Sequence, residues 1–418
     1  MPPLTEYPKR IVRSRDWTPS WKLECAYYLV VAYSLLAVYL GIQVPLLAAG
    51  SMAGLAGLCL LRLRGHLKEV YGPISLLLIC GLCFILIQVH VHQEPLLGEV
   101  NRSFINWMLA IAVIHALCLR RGFLHRFSLL LFALGAVTLP YLEFDSVGVG
   151  QARVDLPVSG NLANPNGLAE WFGFCAVYFA ILGLVTRRSA LRIGAWALGV
   201  VCLYVVALTV SRGAIVASAL AITVAIRGVL KRGFVPVLLL IIVAAGIYES
   251  GLFRHAAELY AERGLEDTGR MVLWPIAFER FLGSPLFGVG AANLETDIWV
   301  GRSISIPHNS LLFFGLSSGL LPLALYIAFW VQAGLRLYST TNDASGDGAF
   351  RLPLVVFTFL SAMSGDLAFM ANWGILALCF AAGSNVPYRV RDLLLVRRPT
   401  GIRLLRLSRR VETRNRAA

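Results

Sequence analysis

Apolar runs of about 20 residues, the length that crosses a bilayer as a helix, constrain this chain more than any other feature of its sequence. Only helices and closed barrels satisfy all their backbone hydrogen bonds inside a membrane. The charged fraction of 14% and the mean hydropathy of +0.72 exclude a soluble globule. The sequence therefore predicts an all-α polytopic membrane protein with about twelve transmembrane helices. The candidate spans are 25–42, 44–61, 70–91, 103–119, 127–142, 167–186, 193–210, 213–230, 234–248, 309–336, 352–371 and 372–388.

The distribution of basic residues predicts the orientation of these spans. Most of the 37 Lys and Arg residues fall in alternate loops on one side of the twelve-span topology. Because such loops face the cytoplasm, residues 1–24 and the basic tail 389–418 are predicted to be cytoplasmic. A basic tail next to a membrane is interpreted as contacting anionic lipid headgroups and not nucleic acid.

The longest connection, residues 249–308, separates spans 1–9 (25–248) from spans 10–12 (309–388) and lies on the outer side. Apolar residues recur at helical spacing from Leu252 to Tyr260, and again after Thr268, a candidate N-cap. The connection is therefore predicted to be a helical loop.

The run 309–336 is long for one span. It is interrupted by Ser317-Ser318-Gly319, and Pro322 follows. This pattern indicates a kink or a pair of half-helices.

Two arginines lie where helices begin on the outer side. Arg212 opens the eighth span, and Arg270 lies in the first turn of the second loop helix. A cation there opposes the helix dipole unless an anion compensates, and a guanidinium suits a phosphate. The alternative for Arg212 is an interfacial anchor. The alternative for Arg270 is a surface ion pair with Glu266 or Asp267. Arg302 is a third cation near the same junction.

His308 precedes the tenth span, where Asn309 or Ser310 can cap the helix. The positive end of the helix disfavours imidazolium, which leaves a neutral ring suited to a general base. An interfacial or core histidine is the simpler alternative. No metal-ligand motif is found on the outer side, so no metal site is predicted.

Two acidic residues map to the same side. Asp366 lies inside the eleventh span, where a carboxylate is costly, and is predicted to pair with an outer arginine or to orient His308. Glu170 follows Asn166 at the outer end of the sixth span. Helix capping alone can explain the asparagines here.

Four motifs, taken in order and with their spacing, resemble the O-antigen ligase and polymerase superfamily. The resemblance extends by motif over residues 160–340. The motifs are Asn164–Ala169, Ser211–Gly213, Gly269–Trp274 continuing to Ser284–Gly290, and His308–Ser310.

The resemblance implies a GT-C-like glycosyltransferase of the bacterial inner membrane. Such an enzyme transfers polysaccharide from undecaprenyl diphosphate to an acceptor hydroxyl on the periplasmic side, where loop 249–308 would then lie. The ligase members use lipid A-core oligosaccharide as the acceptor.

The functional positions of the family fall on Arg212, Arg270 and His308, and Asp366 resembles a further polar position. The two arginines would neutralise the diphosphate and His308 would take the acceptor proton, in an inverting reaction without metal or cofactor. Arg302, Asn166, Glu170 and Asp366 are the further substrate-binding candidates.

A lipid-linked polysaccharide polymerase would share every motif and differ in its acceptor. A flippase or transporter, for which internal repeats are typical, is a further alternative, although no repeat is found. The last alternative is a non-enzymatic scaffold protein.

Overall fold

The structure is a computed structural model. It describes residues 19–39, 45–64, 67–120, 122–146, 152–155, 157–158, 161–162, 165–230, 251, 254–263, 270–294, 299–300, 303–304, 308–340, 348–363 and 372–382.

Helices make up most of the described chain, as predicted. In chain order they are α1 (Trp21–Tyr39), α2 (Pro45–Leu63), α3 (Leu67–Tyr71), α4 (Ser75–His90), α5 (Glu99–Leu117), α6 (Phe123–Thr138), α7 (Pro165–Val185), α8 (Ser189–Leu208), α9 (Arg212–Leu230), α10 (Arg254–Arg263), α11 (Arg270–Gly283), α12 (Ser310–Ser318), α13 (Leu320–Thr340), α14 (Gly348–Ala362) and α15 (Asn372–Ala381). Short 3-10 turns cover Gly72–Ile74, Leu139–Tyr141 and Ala291–Asn293.

Three antiparallel strand pairs are an addition that the all-α prediction did not include. They lie between helices and are too short to show the alternation that identifies a strand in a sequence. The pairs are β1 (Glu143–Ser146) with β2 (Ala152–Asp155), β3 (Pro157–Val158) with β4 (Asn161–Leu162), and β5 (Trp299–Val300) with β6 (Ser303–Ile304).

Six helical segments in the described part of the chain are long and apolar enough to cross a membrane, which supports a multi-pass membrane protein. They are Gly72–His90, Glu99–Leu117, Phe123–Tyr141, Pro165–Val185, Ser189–Leu208 and Leu320–Leu337. Leu47–Leu63 and Ala349–Ala362 are shorter apolar helices. The predicted span 234–248 lies outside the described residues, so the count of twelve stays a prediction.

Helix α7 forms the centre of one half of the bundle. Its side chains are buried almost throughout, and it packs against α8, α9 and α14. Gly173 of α7 lies against Phe357 of α14 and Ser218 of α9. Gly173 and Ser218 are eight and six positions after the starts of α7 and α9, and Phe357 is five positions before the end of α14. The starts of α7 and α9 and the end of α14 therefore lie at one end of the bundle.

A buried carboxylate joins α1 to α6 at the opposite end. Glu24 has no exposed surface and forms ion pairs with Arg120 (2.6 Å) and Arg126 (2.7 Å). The hydroxyl of Tyr28 donates to the same carboxylate, and both guanidinium groups lie over the ring of Trp21. The two arginines compensate the charge of a carboxylate that would otherwise be costly to bury.

Helices α12 and α13 form an antiparallel hairpin. The hydroxyls of Ser310 and Tyr326 lie 3.2 Å apart, and the rings of Phe314 and Tyr326 are 4.8 Å apart between centroids. In one straight helix Ser310 and Tyr326 would be separated by about 24 Å. The interruption predicted at Ser317–Gly319 is therefore a complete reversal of the chain.

The reversal depends on Gly319. Its φ is +79°, and a Cβ built on it would lie 2.2 Å from the carbonyl oxygen of Leu286. Neither the backbone conformation nor the space allows another residue.

We expect Gly319→Ala to destabilise the protein by at least about 3 kcal/mol, because backbone strain and steric overlap add at this position. Thermal unfolding of the detergent-solubilised protein would measure the loss. Gly334→Ala is the matched control within α13: a Cβ there meets nothing within 4 Å, so its unfolding midpoint should be unchanged or slightly higher. Equal unfolding midpoints for the two variants would contradict the conclusion that the chain reversal requires glycine at position 319.

Candidate functional site

The start of α12 carries the predicted general base. Asn309 is the N-cap: its Oδ1 accepts from the backbone N–H groups of Leu311 (2.9 Å) and Leu312 (3.2 Å). Ser310, the other predicted cap, is fully buried and contacts Tyr326 instead. His308 directly precedes the cap and is partly exposed, so its ring lies at the positive end of α12.

Asn309 also ties α12 to α14. Its Nδ2 donates to the carbonyl oxygen of Met363 at 3.4 Å, and Met363 directly follows the last residue of α14. Because α14 packs along α9, the starts of α12 and α9 both lie beside the end of α14. The structure thereby brings His308 and Arg212 to one end of the bundle.

Arg212 is the first residue of α9 and is partly buried. The preceding residue, Ser211, donates through its hydroxyl to Oδ1 of Asn166 at 2.9 Å. Asn166 is the second residue of α7, so this bond joins the starts of α7 and α9. Glu170, partly buried, lies one turn further along α7.

Helix α11 begins at Arg270, whose side chain lies outside the described atoms. Trp274 and Phe278 of α11 face Leu311 and Leu312 of α12 across an open cavity of 460 Å³. Further along both helices, Phe281 lies against Gly315. The two helices are therefore parallel, and the backbone of Arg270 lies at the same end as His308.

The cavity between α11 and α12 adjoins the capped start of α12. Pro275 and Asn309 complete its lining, which is largely apolar. The indole N–H of Trp274 finds no hydrogen-bond acceptor within the described part of the chain. The sequence showed Trp274 and Phe278 as an apolar stripe but gave no sign that they border a cavity.

Arg302 and Asp366 lie outside the described residues, so the predicted contact between Asp366 and His308 stays a prediction. Over the residues that are described, no group of three or more His, Cys, Asp or Glu side chains is close enough to share a metal ion.

Gln88 is a polar residue that sequence reasoning missed. It lies in the apolar helix α4, has no exposed surface and contacts both the end of α12 and the segment after α11. A lone amide in an apolar span was the available signal, because such a group is costly unless it is hydrogen-bonded.

Comparison with known proteins supplies a match to a family model. A family model described as O-antigen ligase matches residues 197–327, and no curated protein matches the chain significantly. The matched segment includes Arg212, Arg270, Arg302 and His308, whereas Asn166 and Glu170 precede it. The match supports the resemblance that the motifs indicated: over residues 197–327 the chain is similar to the O-antigen ligase family.

Proposed function

We propose that this protein is an O-antigen ligase of the bacterial inner membrane. It transfers polysaccharide from undecaprenyl diphosphate to a hydroxyl of lipid A-core oligosaccharide, at the periplasmic face of a GT-C-like bundle. The observation that supports this most is the convergence of four helix ends, those of α7, α9, α11 and α12, at one end of the bundle. These ends carry Asn166, Arg212, Arg270 and His308.

The arginines would carry the electrostatic part of the reaction. Cleavage of the bond between the sugar and the diphosphate develops negative charge on the leaving oxygen, and preorganised guanidinium groups stabilise that charge. The hydrogen bond between Ser211 and Asn166 fixes the start of α9 against α7. Arg212, the first residue of α9, therefore extends from a fixed backbone position. Arg270 would act from the parallel helix α11, with Arg302 as a further contact.

His308 would accept the proton of the acceptor hydroxyl as that oxygen attacks the anomeric carbon. Attack opposite the diphosphate inverts the configuration of that carbon. His308 directly precedes the capped start of α12 and is partly exposed, so an acceptor hydroxyl could approach its ring. Asp366 would orient the ring or bind substrate, and Glu170 would contact the sugar.

A lipid-linked donor fits the compartment and the surroundings of the site. Periplasmic transfer cannot use nucleotide sugars, which are cytoplasmic, so the leaving group arrives on the donor. The largely apolar cavity beside His308 would accept the part of the polyprenyl chain nearest the diphosphate.

Reconstitution with undecaprenyl-diphosphate glycan and isolated lipid A-core would test the reaction. We expect the core to gain glycan while the donor is consumed, as gel mobility and mass spectrometry would report. Growth of the lipid-linked glycan itself, with the core left unmodified, would identify a polymerase instead. Movement of intact donor across a vesicle without any covalent product would identify a transporter.

Arg212→Lys should still impair transfer, because an ammonium keeps the charge and loses the planar fork that grips two phosphate oxygens. The expected loss of transition-state stabilisation is about 2 to 4 kcal/mol, measured as kcat/KM for donor. Arg227→Lys, at the other end of the same helix, is the matched control and should keep wild-type turnover. Full activity of Arg212→Lys would reduce Arg212 to an interfacial anchor.

His308→Ala should lower turnover by about 10² to 10⁴, the contribution typical of a general base. Folded yield and donor binding should stay at wild-type values, and EDTA should not affect the wild-type enzyme. His90→Ala, an exposed histidine at the end of α4, serves as the control. Wild-type turnover in His308→Ala would refute the base, and loss of activity on chelation, restored by added metal, would refute the metal-free reaction.

A further inference from the structure

Gln88 uses both ends of its amide to join three elements. Its Nε2 donates to the carbonyl oxygen of Ser317 at 2.7 Å, in the last turn of α12. Its Oε1 accepts from the backbone N–H of Ala291 at 2.9 Å, in the segment that follows α11. The side chain has no exposed surface, so each bond replaces one that water cannot supply.

The segment Ser284–Ala291, named here the docking loop, covers the tip of the α12–α13 hairpin. Val289 N donates to the carbonyl oxygen of Leu316 at 2.6 Å, and Leu320 N donates to that of Pro285 at 2.8 Å. Gly288 of the loop has φ +71°, and a Cβ on it would lie 2.2 Å from Leu316 O. Contacts this close hold the loop in one position on the hairpin.

The docking loop begins directly after Gly283, the last residue of α11. Whatever fixes the loop on the hairpin therefore also fixes how far α11 extends along α12. At the other end of the same two helices lie Arg270 and His308. A small shift of α11 along α12 would move Arg270, the first residue of α11, relative to His308 by a similar distance.

We propose that Gln88 is a positioning residue of the transferase site. It holds the docking loop on the hairpin, and thereby sets the register of α11 on α12, on which the position of Arg270 relative to His308 depends. The inference rests on the proposed function, since it assigns Gln88 to the diphosphate-binding arrangement of that site. Gln88 acts through α11 and does not itself contact substrate.

Two variants separate this role from folding. Gln88→Leu replaces the amide by an apolar side chain of similar size and removes both hydrogen bonds. Ala291→Pro removes only the N–H that Gln88 Oε1 accepts, at the first position of a 3-10 turn, where proline is tolerated. Asn101→Leu is the matched control, because Asn101 is an equally buried amide at the same end that bonds Pro95 and not the docking loop.

The first measurement is hydrogen exchange of the whole protein, which needs no activity. Amides of 270–283 and of the docking loop should exchange faster in Gln88→Leu and Ala291→Pro, while those of α7 keep their protection. Asn101→Leu should leave exchange in 270–283 unchanged. Unchanged exchange there in Gln88→Leu would overturn the proposal.

The second measurement is a double-mutant cycle with Arg270→Ala. In the wild-type background Gln88→Leu should lower kcat/KM for donor by about 10²-fold, the effect of a misplacement near 1 Å. In the Arg270→Ala background the same change should cost less than about 3-fold, because the group that it misplaces is already absent. Asn101→Leu should cost the same factor in both backgrounds.

The outcomes distinguish the two proposals. Equal losses from Gln88→Leu in both backgrounds would show a general structural role and overturn the positioning role alone. Absence of transfer by the wild-type protein would overturn the proposed function, and the exchange experiment would still decide whether Gln88 fixes α11.

Discussion

A chain that reverses inside an apolar helical bundle must still satisfy its backbone polar groups, and this requirement shapes the α12–α13 hairpin. The last carbonyls of α12 and the first N–H of α13 have no partner within their own helices. Leu316 O accepts from Val289, Ser317 O accepts from Gln88, and Leu320 N donates to Pro285. The hairpin is therefore completed by groups from elsewhere in the chain, and the docking loop is as necessary to it as Gly319.

This requirement also connects the fold to the site. Because the docking loop completes the hairpin tip, α11 is held parallel to α12, and the two helices begin at the same end. Helix α12 has nine residues, so its start lies about 13 Å from the tip along its axis. There Asn309 bonds Met363, and the end of α14 extends the arrangement to α9 and α7. The hydrogen bonds at the hairpin tip thus help to determine which helix starts lie at the same end of the bundle.

Much of the helical layout follows from local patterns. The run 25–42 corresponds to α1 (Trp21–Tyr39) and the run 213–230 to α9 (Arg212–Leu230), because apolar length and a polar flank define both. The interruption at Ser317–Gly319 was also visible in the sequence. That the chain turns back there was not, since the direction after a break depends on the docking loop, which is remote in sequence and leaves no periodic signal.

In the candidate site, too, local features could be predicted from the sequence and contacts between remote segments could not. The sequence indicated Arg212, His308 and a cap at Asn309 or Ser310, because charge at a helix start is a local property. The bond from Asn309 to Met363 and the bond from Ser211 to Asn166 join segments 54 and 45 residues apart, and no local pattern specifies them. Gln88 was overlooked for a related reason. The sequence shows that an amide lies in an apolar span, where burying it is costly, but it does not show which groups that amide bonds.

The cap at Asn309 bears on how an anion would be bound at this end of the bundle. An uncapped helix N-terminus offers its first N–H groups to a phosphate. In α12, Oδ1 of Asn309 already accepts from two of these groups, so that hydrogen-bonding capacity is used within the protein. The field of the helix persists, because it comes from the whole peptide array and not from single bonds. In the proposed reaction the diphosphate would therefore be bound by arginine side chains, whose planar donors match two phosphate oxygens at once.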